Sequence, residues 1–462
     1  MSDSPGSAGF QACAGTGNAG LEACATRTGA GLRGRKAVVL GGGIAGLTAA
    51  YDLARRGAAV TLLERRSVLG GLARSEELAG ELREVYYHFV CAEDHDLLRL
   101  IGEVGLSDAL EWTPARTSYF VDGRMHPFTT PLDILRFPPL PLRDRLRFGL
   151  HAARCRRMTD WHPLEEMTAE EWLRREMGDR AYEVVWQPLL RTKFGRYAGR
   201  VSAPWIWHRL YRASRSRPSL LQPESFGTLA QGSRMLLEAL EGRIREAGGE
   251  IRRGQAATGL ILREGRVAAV ATEQGELAAD LVVSAVPLPE LVRLLPEESA
   301  AFRARLAEVD FIGVSCLLLL LRRPLTDQYW INIADERVPA SGIIEYSNLN
   351  RRAAPGAALA YMPLYTPTDD PHYQLPPAAL TEELERGLRT VIPDLQPADI
   401  TATMLTRDDY AQPVTPPGFS RQIPPTRTPL EGLYLLDATQ LYPSDRCLSG
   451  MIGLARELVE GL

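Results

Sequence analysis

The feature that most constrains this chain is a short apolar strand that runs into a glycine-rich turn and then into an amphipathic helix. Residues 36–40 form the strand, and Gly41, Gly43 and Gly46 lie in the turn. A second apolar strand follows the helix and ends at Glu64. This order of elements predicts a βαβ unit, in which two parallel strands are joined by a crossover helix.

The pattern G-x-G-x-x-G occurs three times, and only one copy has suitable surroundings. The copies that begin at Gly15 and Gly29 lie in a stretch rich in Gly, Ala and Ser, with no strand before them. The copy at Gly41 follows a strand, so its amides and the N-terminus of the helix can face a pyrophosphate. The sequence therefore predicts a nucleotide-binding turn at Gly41 alone.

Each residue of that unit has a separate predicted role. Gly41 makes the turn, Gly43 lets phosphate approach the backbone, and Gly46 lets the helix pack closely against the sheet. Glu64, at the end of the second strand, is placed to accept hydrogen bonds from ribose hydroxyls.

Composition narrows the remaining possibilities. The chain has 462 residues, of which 45% are hydrophobic and 24% charged, and its net charge is -4. This length predicts two or three domains, and the slightly acidic balance disfavours nucleic acid as the main partner. No apolar run approaches the ~20 residues that span a bilayer. The cysteines and histidines show no metal-ligand spacing, so we expect reduced thiols, no metal site and a cytoplasmic location.

The second strand continues into the run Glu64-Arg65-Arg-Ser-Val-Leu-Gly70-Gly71-Leu-Ala-Arg74. This run resembles that of the FAD-dependent amine oxidase, phytoene desaturase and protoporphyrinogen oxidase superfamily. The resemblance implies that Glu64 holds the adenosine ribose of FAD, and that Gly70, Gly71 and Arg74 lie along the pyrophosphate and the flavin. Arg65, inside the same run, is also a candidate cofactor-binding residue.

Two later segments carry the same resemblance, which extends over residues 36–462. Residues 248–287 look like the returning half of the FAD domain, and residues 432–437 resemble its closing motif. There the resemblance implies that Asp437 holds the ribityl or pyrophosphate region. A helix beginning near Ser449 would point its N-terminus at the flavin pyrimidine ring and stabilise negative charge on reduced flavin.

Further segments look closest to a bacterial branch of protoporphyrinogen-oxidase-like proteins. They lie at residues 87–89, 191–195, 329–333, 345–348, 410–413 and 442–446.

The resemblance implies an α/β fold, in which a glutathione-reductase-like Rossmann FAD-binding domain carries an inserted α+β substrate domain. Residues 1–33 contain few large apolar side chains and are predicted to form a flexible N-terminal tail. The predicted FAD-binding domain comprises residues 34–95, 225–300 and 430–462, and the predicted substrate-binding domain comprises residues 96–224 and 301–429.

Lys193 is the first candidate catalytic residue. Only two of the 53 Lys and Arg residues are lysines, Lys36 and Lys193. Arginine would serve equally well where only positive charge is needed. A desolvated lysine, in contrast, changes its pKa readily and can act as a base. Lys193 is flanked by apolar residues, so it is a candidate base or water ligand, while Lys36 precedes the first strand and fits a solvated charge.

His88 and Glu345 are the other catalytic candidates. His88 lies in the stretch that passes the flavin ring in the resembled family, so it could relay a proton; a packed core histidine is the alternative. Glu345 could act as a base or bind a substrate amine, or could be a structurally paired carboxylate.

Six of the seven tryptophans concentrate between the first and second FAD segments. They could form a hydrophobic core or an apolar substrate pocket, with residues 127–148 as a lid or a membrane-surface patch. The tryptophans concerned are Trp112, Trp161, Trp172, Trp186, Trp205 and Trp207.

We therefore expect an FAD-dependent oxidoreductase that takes hydride from a C-N or CH-CH bond of a small or lipophilic substrate. Oxygen or another acceptor would reoxidise the flavin, and the protein would be a monomer or homodimer with at most peripheral membrane contact. Two alternatives remain open: a redox-neutral flavin-dependent isomerase or mutase, and a non-catalytic flavin-binding protein.

Overall fold

The computed structural model describes residues 31–215 and 222–462. Its strands are β1 (Lys36–Leu40), β2 (Ala59–Glu64), β3 (Ser75–Leu78), β4 (Glu81–Glu84), β5 (Leu110–Pro114), β6 (Thr117–Val121), β7 (Arg124–Pro127), β8 (Ser225–Leu229), β9 (Glu250–Arg253), β10 (Ala257–Arg263), β11 (Arg266–Thr272), β12 (Gly275–Ala278), β13 (Leu281–Ser284), β14 (Phe311–Leu321), β15 (Trp330–Ile333), β16 (Gly342–Glu345), β17 (Ala358–Thr366), β18 (Ile400–Pro413) and β19 (Leu433–Leu435).

The α-helices are α1 (Ile44–Arg55), α2 (His95–Glu103), α3 (Pro131–Leu135), α4 (Leu142–Arg157), α5 (Ala169–Met177), α6 (Asp179–Ala181), α7 (Gln187–Phe194), α8 (Ala203–Arg215), α9 (Arg234–Glu246), α10 (Leu288–Leu294), α11 (Ala300–Ala307), α12 (Pro371–Gln374), α13 (Pro377–Val391) and α14 (Leu448–Glu460). A π-helical turn at Tyr182–Trp186 joins α6 to α7.

The predicted N-terminal tail over residues 1–33 lies almost entirely outside the described residues. Leu32, at its end, is 1% exposed and packs in the core around α1. Leu32 therefore belongs to this core although it precedes the predicted start of the FAD-binding domain at residue 34.

A five-stranded parallel sheet, in the order β19-β13-β1-β2-β9, draws its strands from three separated stretches of the chain. Successive side chains of a strand point to opposite faces. Val39 therefore packs in the core with α1, α9 and α14, whereas Val38 and Leu40 pack with α10 and α11. Burial of both faces is typical of parallel sheets in α/β proteins, and this is the predicted Rossmann arrangement.

The first βαβ unit depends on two glycines. Gly41 has φ +96°, a conformation that costs glycine little because it has no side chain. A Cβ on Gly46, in the first turn of α1, would lie 1.9 Å from the carbonyl oxygen of Gly41. The helix can therefore start directly above the strand only because position 46 is glycine.

A second, seven-stranded sheet has the order β18-β14-β17-β16-β15-β6-β7. Its strand β14, next to the edge strand β18, is buried along nearly its whole length. Leu317 and Leu319 pack on one face with α13, and Cys316 and Leu318 pack on the other face. This sheet combines strands from both predicted substrate-domain segments.

A helical layer of α4, α5, α7 and α8 packs around a third core. Trp172, Trp186, Trp205 and Trp207 are buried there, and Trp186 and Trp205 also line a large cavity, so these side chains serve both the core and a pocket. Trp112 is different, because it lies on β5 with 43% of its surface exposed. In the described ranges, no helix has the length and apolar character required to cross a bilayer.

Candidate active site

The carboxyl ends of the parallel strands meet at one large cavity. Gly41 after β1, Glu64 at the end of β2, Ala285 after β13 and Asp437 after β19 all line it. This edge of an open parallel sheet is where ligands bind in doubly wound folds. The cavity volume is about 1800 Å³, well above the ~300–1000 Å³ of an ordinary small-molecule site, so it can hold a dinucleotide together with a substrate.

Glu64 lies beside the glycine turn. Its side chain is buried, and its carboxylate accepts hydrogen bonds from the backbone amides of Gly42 at 2.7 Å and Arg66 at 2.8 Å. These bonds fix the carboxylate at the wall of the cavity. It therefore has a defined position from which to bind ribose hydroxyls.

Gly70 and Gly71 pack against the first glycine turn. The Gly70 amide donates to the carbonyl of Gly42 at 2.7 Å, and a Cβ on Gly71 would lie 3.3 Å from the Cα of Gly43. Gly43, Gly70 and Gly71 all line the cavity. The two glycine segments thus form a cradle that side chains would fill.

The residues at this end fit FAD. The N-terminus of α1 has no side-chain cap, and Gly43, Ile44 and Ala45 line the cavity. Free amides at a helix N-terminus bind pyrophosphate well, because the helix dipole adds to their hydrogen bonds. The N-terminus of α14, with Cys447 as its N-cap residue, lies on the same cavity, and α14 begins at Leu448, close to the predicted position.

Arg74 lies apart from its predicted place along the cofactor. It is not among the residues that line the cavity, and its guanidinium instead bonds Glu76, the Gly71 carbonyl and Asp408. Only 3% of its side chain is exposed. In this arrangement Arg74 stabilises the turn through its hydrogen bond to the Gly71 carbonyl.

Asp408 is a residue that the sequence analysis missed. Its carboxylate accepts hydrogen bonds from Arg66, Arg74 and Tyr86, each at 2.7 Å. It ties β18 to the segment that follows β2. A signal was present: Asp408 and Asp409 are adjacent in a strand, where successive side chains point to opposite faces, so at least one of them needs partners inside the protein.

Arg65 and Asp437 both line the cavity. Arg65 forms an ion pair with Glu290 at 3.1 Å and is 57% exposed. Asp437 is buried and accepts hydrogen bonds from the amides of Thr439 at 2.9 Å and Leu288 at 3.3 Å. Burial raises the pKa of Asp437. The two backbone amides fix the orientation of its carboxyl group.

Lys193 is part of a charged cluster on the wall of the same cavity. Its Nζ donates to Asp445 Oδ2 at 3.0 Å, and Arg209 donates to the same oxygen at 2.8 Å. Arg446 bonds the Tyr365 hydroxyl at 3.2 Å. We call these four residues, Lys193, Arg209, Asp445 and Arg446, the cationic cluster, because it carries three positive groups against one carboxylate.

The surroundings of Lys193 are aromatic and poorly solvated. Its Nζ lies 4.8 Å from the ring centre of Trp205 and 5.5 Å from that of Tyr365. Burial lowers the pKa of Lys193 to about 7; Asp445 opposes this shift, while Arg209 and Arg446 reinforce it. Although burial works against it, the neighbouring cations hold the pKa of Asp445 well below its usual range. Lys193 can therefore be neutral near physiological pH beside an ionised carboxylate.

The sequence analysis did not identify Arg209 and Arg446, because neither stands out in a chain that is rich in arginine. Arg446 directly precedes the N-cap residue of α14, and Arg209 lies in α8. The segment 442–446 carried part of the family resemblance, which was the available signal for Arg446.

His88 also lines the cavity. Its Nδ1 lies 3.0 Å from the carbonyl oxygen of Tyr86 and 3.3 Å from the Glu84 carboxylate. Both neighbours are acceptors, so the proton of a neutral ring resides on Nδ1. Nε2 is then the basic nitrogen.

Glu345 is separated from these groups. It is fully buried and is not among the residues that line the cavity. Its carboxylate accepts hydrogen bonds from the amides of Leu325 and Thr326 and from the Thr326 hydroxyl, at 2.8 to 3.2 Å. Glu345 is therefore a structurally paired carboxylate, because a neighbouring loop donates all of these hydrogen bonds and the side chain does not reach the cavity.

Comparison with known proteins identifies the family of this chain. The sequence profile of flavin containing amine oxidoreductases matches residues 44–440. Coproporphyrinogen III oxidase of Mycobacterium tuberculosis is 29% identical over 314 residues, covering 63% of this chain and 67% of the relative. Human protoporphyrinogen oxidase is 29% identical over 325 residues, covering 62% of this chain and 67% of the relative.

A solved structure of reduced UDP-galactopyranose mutase superposes with a TM-score of 0.73 at 17% identity, covering 93% of this chain and 94% of that one. At this identity the likeness shows the fold alone. Together the matches confirm the predicted α/β fold, FAD as the cofactor and an enzymatic role. The chain therefore belongs to the family of flavin containing amine oxidoreductases, and it is an FAD-dependent oxidoreductase.

Proposed function

We propose that this chain oxidises a bulky lipophilic substrate that carries an acidic group, taking hydride from a CH-CH or C-N bond. The observation that carries the proposal is the cationic cluster in an otherwise largely apolar cavity of about 1800 Å³. Trp186, Phe226 and Trp330 are among the aromatic residues on its walls. Such walls favour an extended apolar body, and the cluster favours an anion.

The charge of the cluster supports an acidic substrate. Asp445 carries one negative charge, whereas Arg209 and Arg446 both stay positively charged and Lys193 adds a third positive charge whenever it is protonated. A carboxylate from the substrate would complete the pairing. Arg446 is suited to this role, because a guanidinium stays protonated and can bind a carboxylate through two hydrogen bonds.

Bound FAD supplies the acceptance of hydride. The protein then has to orient the substrate and accept one proton. We assign that proton to Lys193 Nζ, because a lysine with a pKa of about 7 is partly neutral at working pH. His88 Nε2 is the second proton-exchanging group, and Glu345 keeps a structural role.

The relatives support a porphyrinogen as the first substrate to test, since their names refer to coproporphyrinogen III and protoporphyrinogen. The two compounds share one ring system and differ in the number of carboxylates. A panel of both, with putrescine as an amine, separates acid recognition from amine recognition. Oxygen is the first electron acceptor to test.

The experiment measures oxygen uptake and product formation with each compound. The proposal predicts turnover of a porphyrinogen, a lower KM for coproporphyrinogen III than for protoporphyrinogen, and no turnover of putrescine. Oxidation of putrescine with no reaction of either porphyrinogen would contradict it.

A redox-neutral isomerase is the second candidate, favoured by the same cluster and by the shared fold of the mutase. Two arginines and a lysine could hold the diphosphate of a nucleotide sugar as well as a carboxylate. Product formation without oxygen uptake, and only after reduction of the enzyme with dithionite, would support this candidate over the first.

A further inference from the structure

Helix α4 exposes a row of large apolar side chains. Leu142, Leu146 and Leu150 are 64%, 55% and 65% exposed. They recur at every fourth position, so they lie along one side of the helix. Phe148 and Cys155 are buried on its opposite side. We call Leu142, Leu146 and Leu150 the leucine face.

The neighbouring helix α3 enlarges this apolar surface. Its Leu132 and Leu135 are 40% and 39% exposed, and α3 packs against α4. Five of the eight large hydrophobic residues that are exposed among the described residues therefore lie in one helical hairpin. A contiguous exposed apolar patch of this kind marks a contact with a protein or a membrane.

The charge of the hairpin is opposite to that of the chain. Residues 131–157 contain seven arginines and two aspartates, whereas the whole chain has a net charge of -4. With about 3.6 residues per turn, Arg143 and Arg147 lie on one side of the leucine face, and Arg145 and Arg156 lie on the other. An apolar stripe between rows of arginine is typical of helices that lie in the interface of an anionic bilayer.

The hairpin also forms part of the cavity wall. Pro131 and Ile134 of α3, and Gly149, Ala153 and Arg156 of α4, line it. The same hairpin thus contributes both to the wall of the cavity and to the exposed apolar surface. A lipophilic molecule dissolved in a bilayer beneath the hairpin would therefore lie close to the cavity.

We propose that the α3–α4 hairpin docks on the surface of an anionic phospholipid bilayer, with the leucine face among the acyl chains and the arginines at the headgroup phosphates. A second copy of this chain fits less well. A two-fold symmetric contact places the same patch of both copies face to face, which would bring the two rows of arginine together.

The test is co-sedimentation of the FAD-loaded protein with vesicles of phosphatidylglycerol and phosphatidylcholine, or of phosphatidylcholine alone. We expect binding to the anionic vesicles and weak binding to the neutral ones. The triple variant Leu142→Ser/Leu146→Ser/Leu150→Ser should lose at least ~10-fold in binding, about 1.4 kcal/mol. The variant Arg156→Gln/Arg157→Gln should bind less tightly and with weaker salt dependence.

Leu82→Ser is the matched control, because Leu82 is 51% exposed on β4, outside the hairpin. It should bind vesicles as the wild type does, and an unchanged flavin spectrum shows that each variant is folded. The proposal is overturned by wild-type protein that stays in the supernatant with anionic vesicles, or by a leucine variant that still binds. It is also overturned by a wild-type dimer that the leucine substitutions dissociate, since a second copy would then cover the face.

These measurements involve no substrate. The membrane proposal and the proposed oxidation can therefore fail independently of each other.

Discussion

Lys193 Nζ donates to Asp445 Oδ2 across 3.0 Å, although the two residues are 252 positions apart in the sequence. The contact joins α7 to the segment just before α14. It therefore links the helical layer of the substrate side to the helix whose N-terminus lies on the cofactor cavity.

Replacing Lys193 with arginine should preserve the positive charge and remove the base. We expect Lys193→Arg to retain FAD but to lose at least ~10-fold in kcat, about 1.4 kcal/mol of barrier. The rise of kcat/KM with pH near 7 should disappear at the same time. Lys36→Arg is the control, because Lys36 is exposed at the start of β1; equal effects of the two substitutions would return Lys193 to a structural role.

The pH dependence of stability should report the buried lysine directly. Burial lowers the pKa of Lys193 from an ordinary value of 10.5 to about 7. Between these values the unfolded chain binds more protons than the folded one, so the free energy of unfolding increases with pH. Urea unfolding measures the free energy of unfolding of the wild type and of Lys193→Met. Between about pH 7 and about pH 9 this free energy should increase more for the wild type than for the variant. A difference that stays flat would contradict the lowered pKa.

Glu64 should govern retention of FAD and leave the chemistry unchanged. Its buried carboxylate is held by the Gly42 and Arg66 amides at the cavity wall. We expect Glu64→Ala to weaken FAD binding at least ~10-fold, about 1.4 kcal/mol, while the enzyme that still carries flavin reacts at the wild-type rate. Equilibrium titration of the apoprotein measures this, with Glu246→Gln on the exposed side of α9 as control. Loss of rate with intact FAD binding would place Glu64 in the reaction.

Much of the cofactor-binding turn was predictable because the residues that form it lie close together in the sequence. The strand, Gly41, Gly43, Gly46 and Glu64 lie within one βαβ unit, where turn geometry and hydrophobic pattern restrict the structure strongly. Chain topology decides the rest. Spacing along the sequence gives no indication that Asp445 meets Lys193, or that Asp408 gathers Arg66 and Arg74 from a distant segment.

The same limit explains the candidates that the structure separates from the cavity. Glu345 ends an apolar strand, a position that fits a base or a structural carboxylate equally well until the loop at Leu325 and Thr326 is placed beside it. Arg74 belongs to the right motif, but its guanidinium pairs with Asp408, more than 300 positions away, and Arg74 does not line the cavity. Trp112 lies in the tryptophan-rich region of the sequence, but the fold places it at the protein surface.

The glycine turn offers a test of how closely α1 packs on β1. A Cβ at position 46 would meet the Gly41 carbonyl oxygen at 1.9 Å, whereas a Cβ on Gly242, inside α9, would meet nothing within 4 Å. Gly46→Ala should therefore destabilise the protein by roughly 2 kcal/mol or more through strain and a displaced helix. Gly242→Ala should stabilise it by roughly 0.5–1 kcal/mol, because alanine favours helix more than glycine does. Thermal unfolding measures both, and equal shifts would contradict the close approach of α1 to β1.

The most direct measurement is anaerobic mixing of the FAD-loaded enzyme with coproporphyrinogen III while the flavin absorption is followed. Our account predicts that the oxidised-flavin band of the wild type and of Lys36→Arg bleaches in a single turnover, and that Lys193→Arg bleaches at least ~10-fold more slowly. A flavin that stays oxidised with coproporphyrinogen III and protoporphyrinogen alike, in an enzyme that retains FAD, would contradict the proposed oxidation of a lipophilic acid.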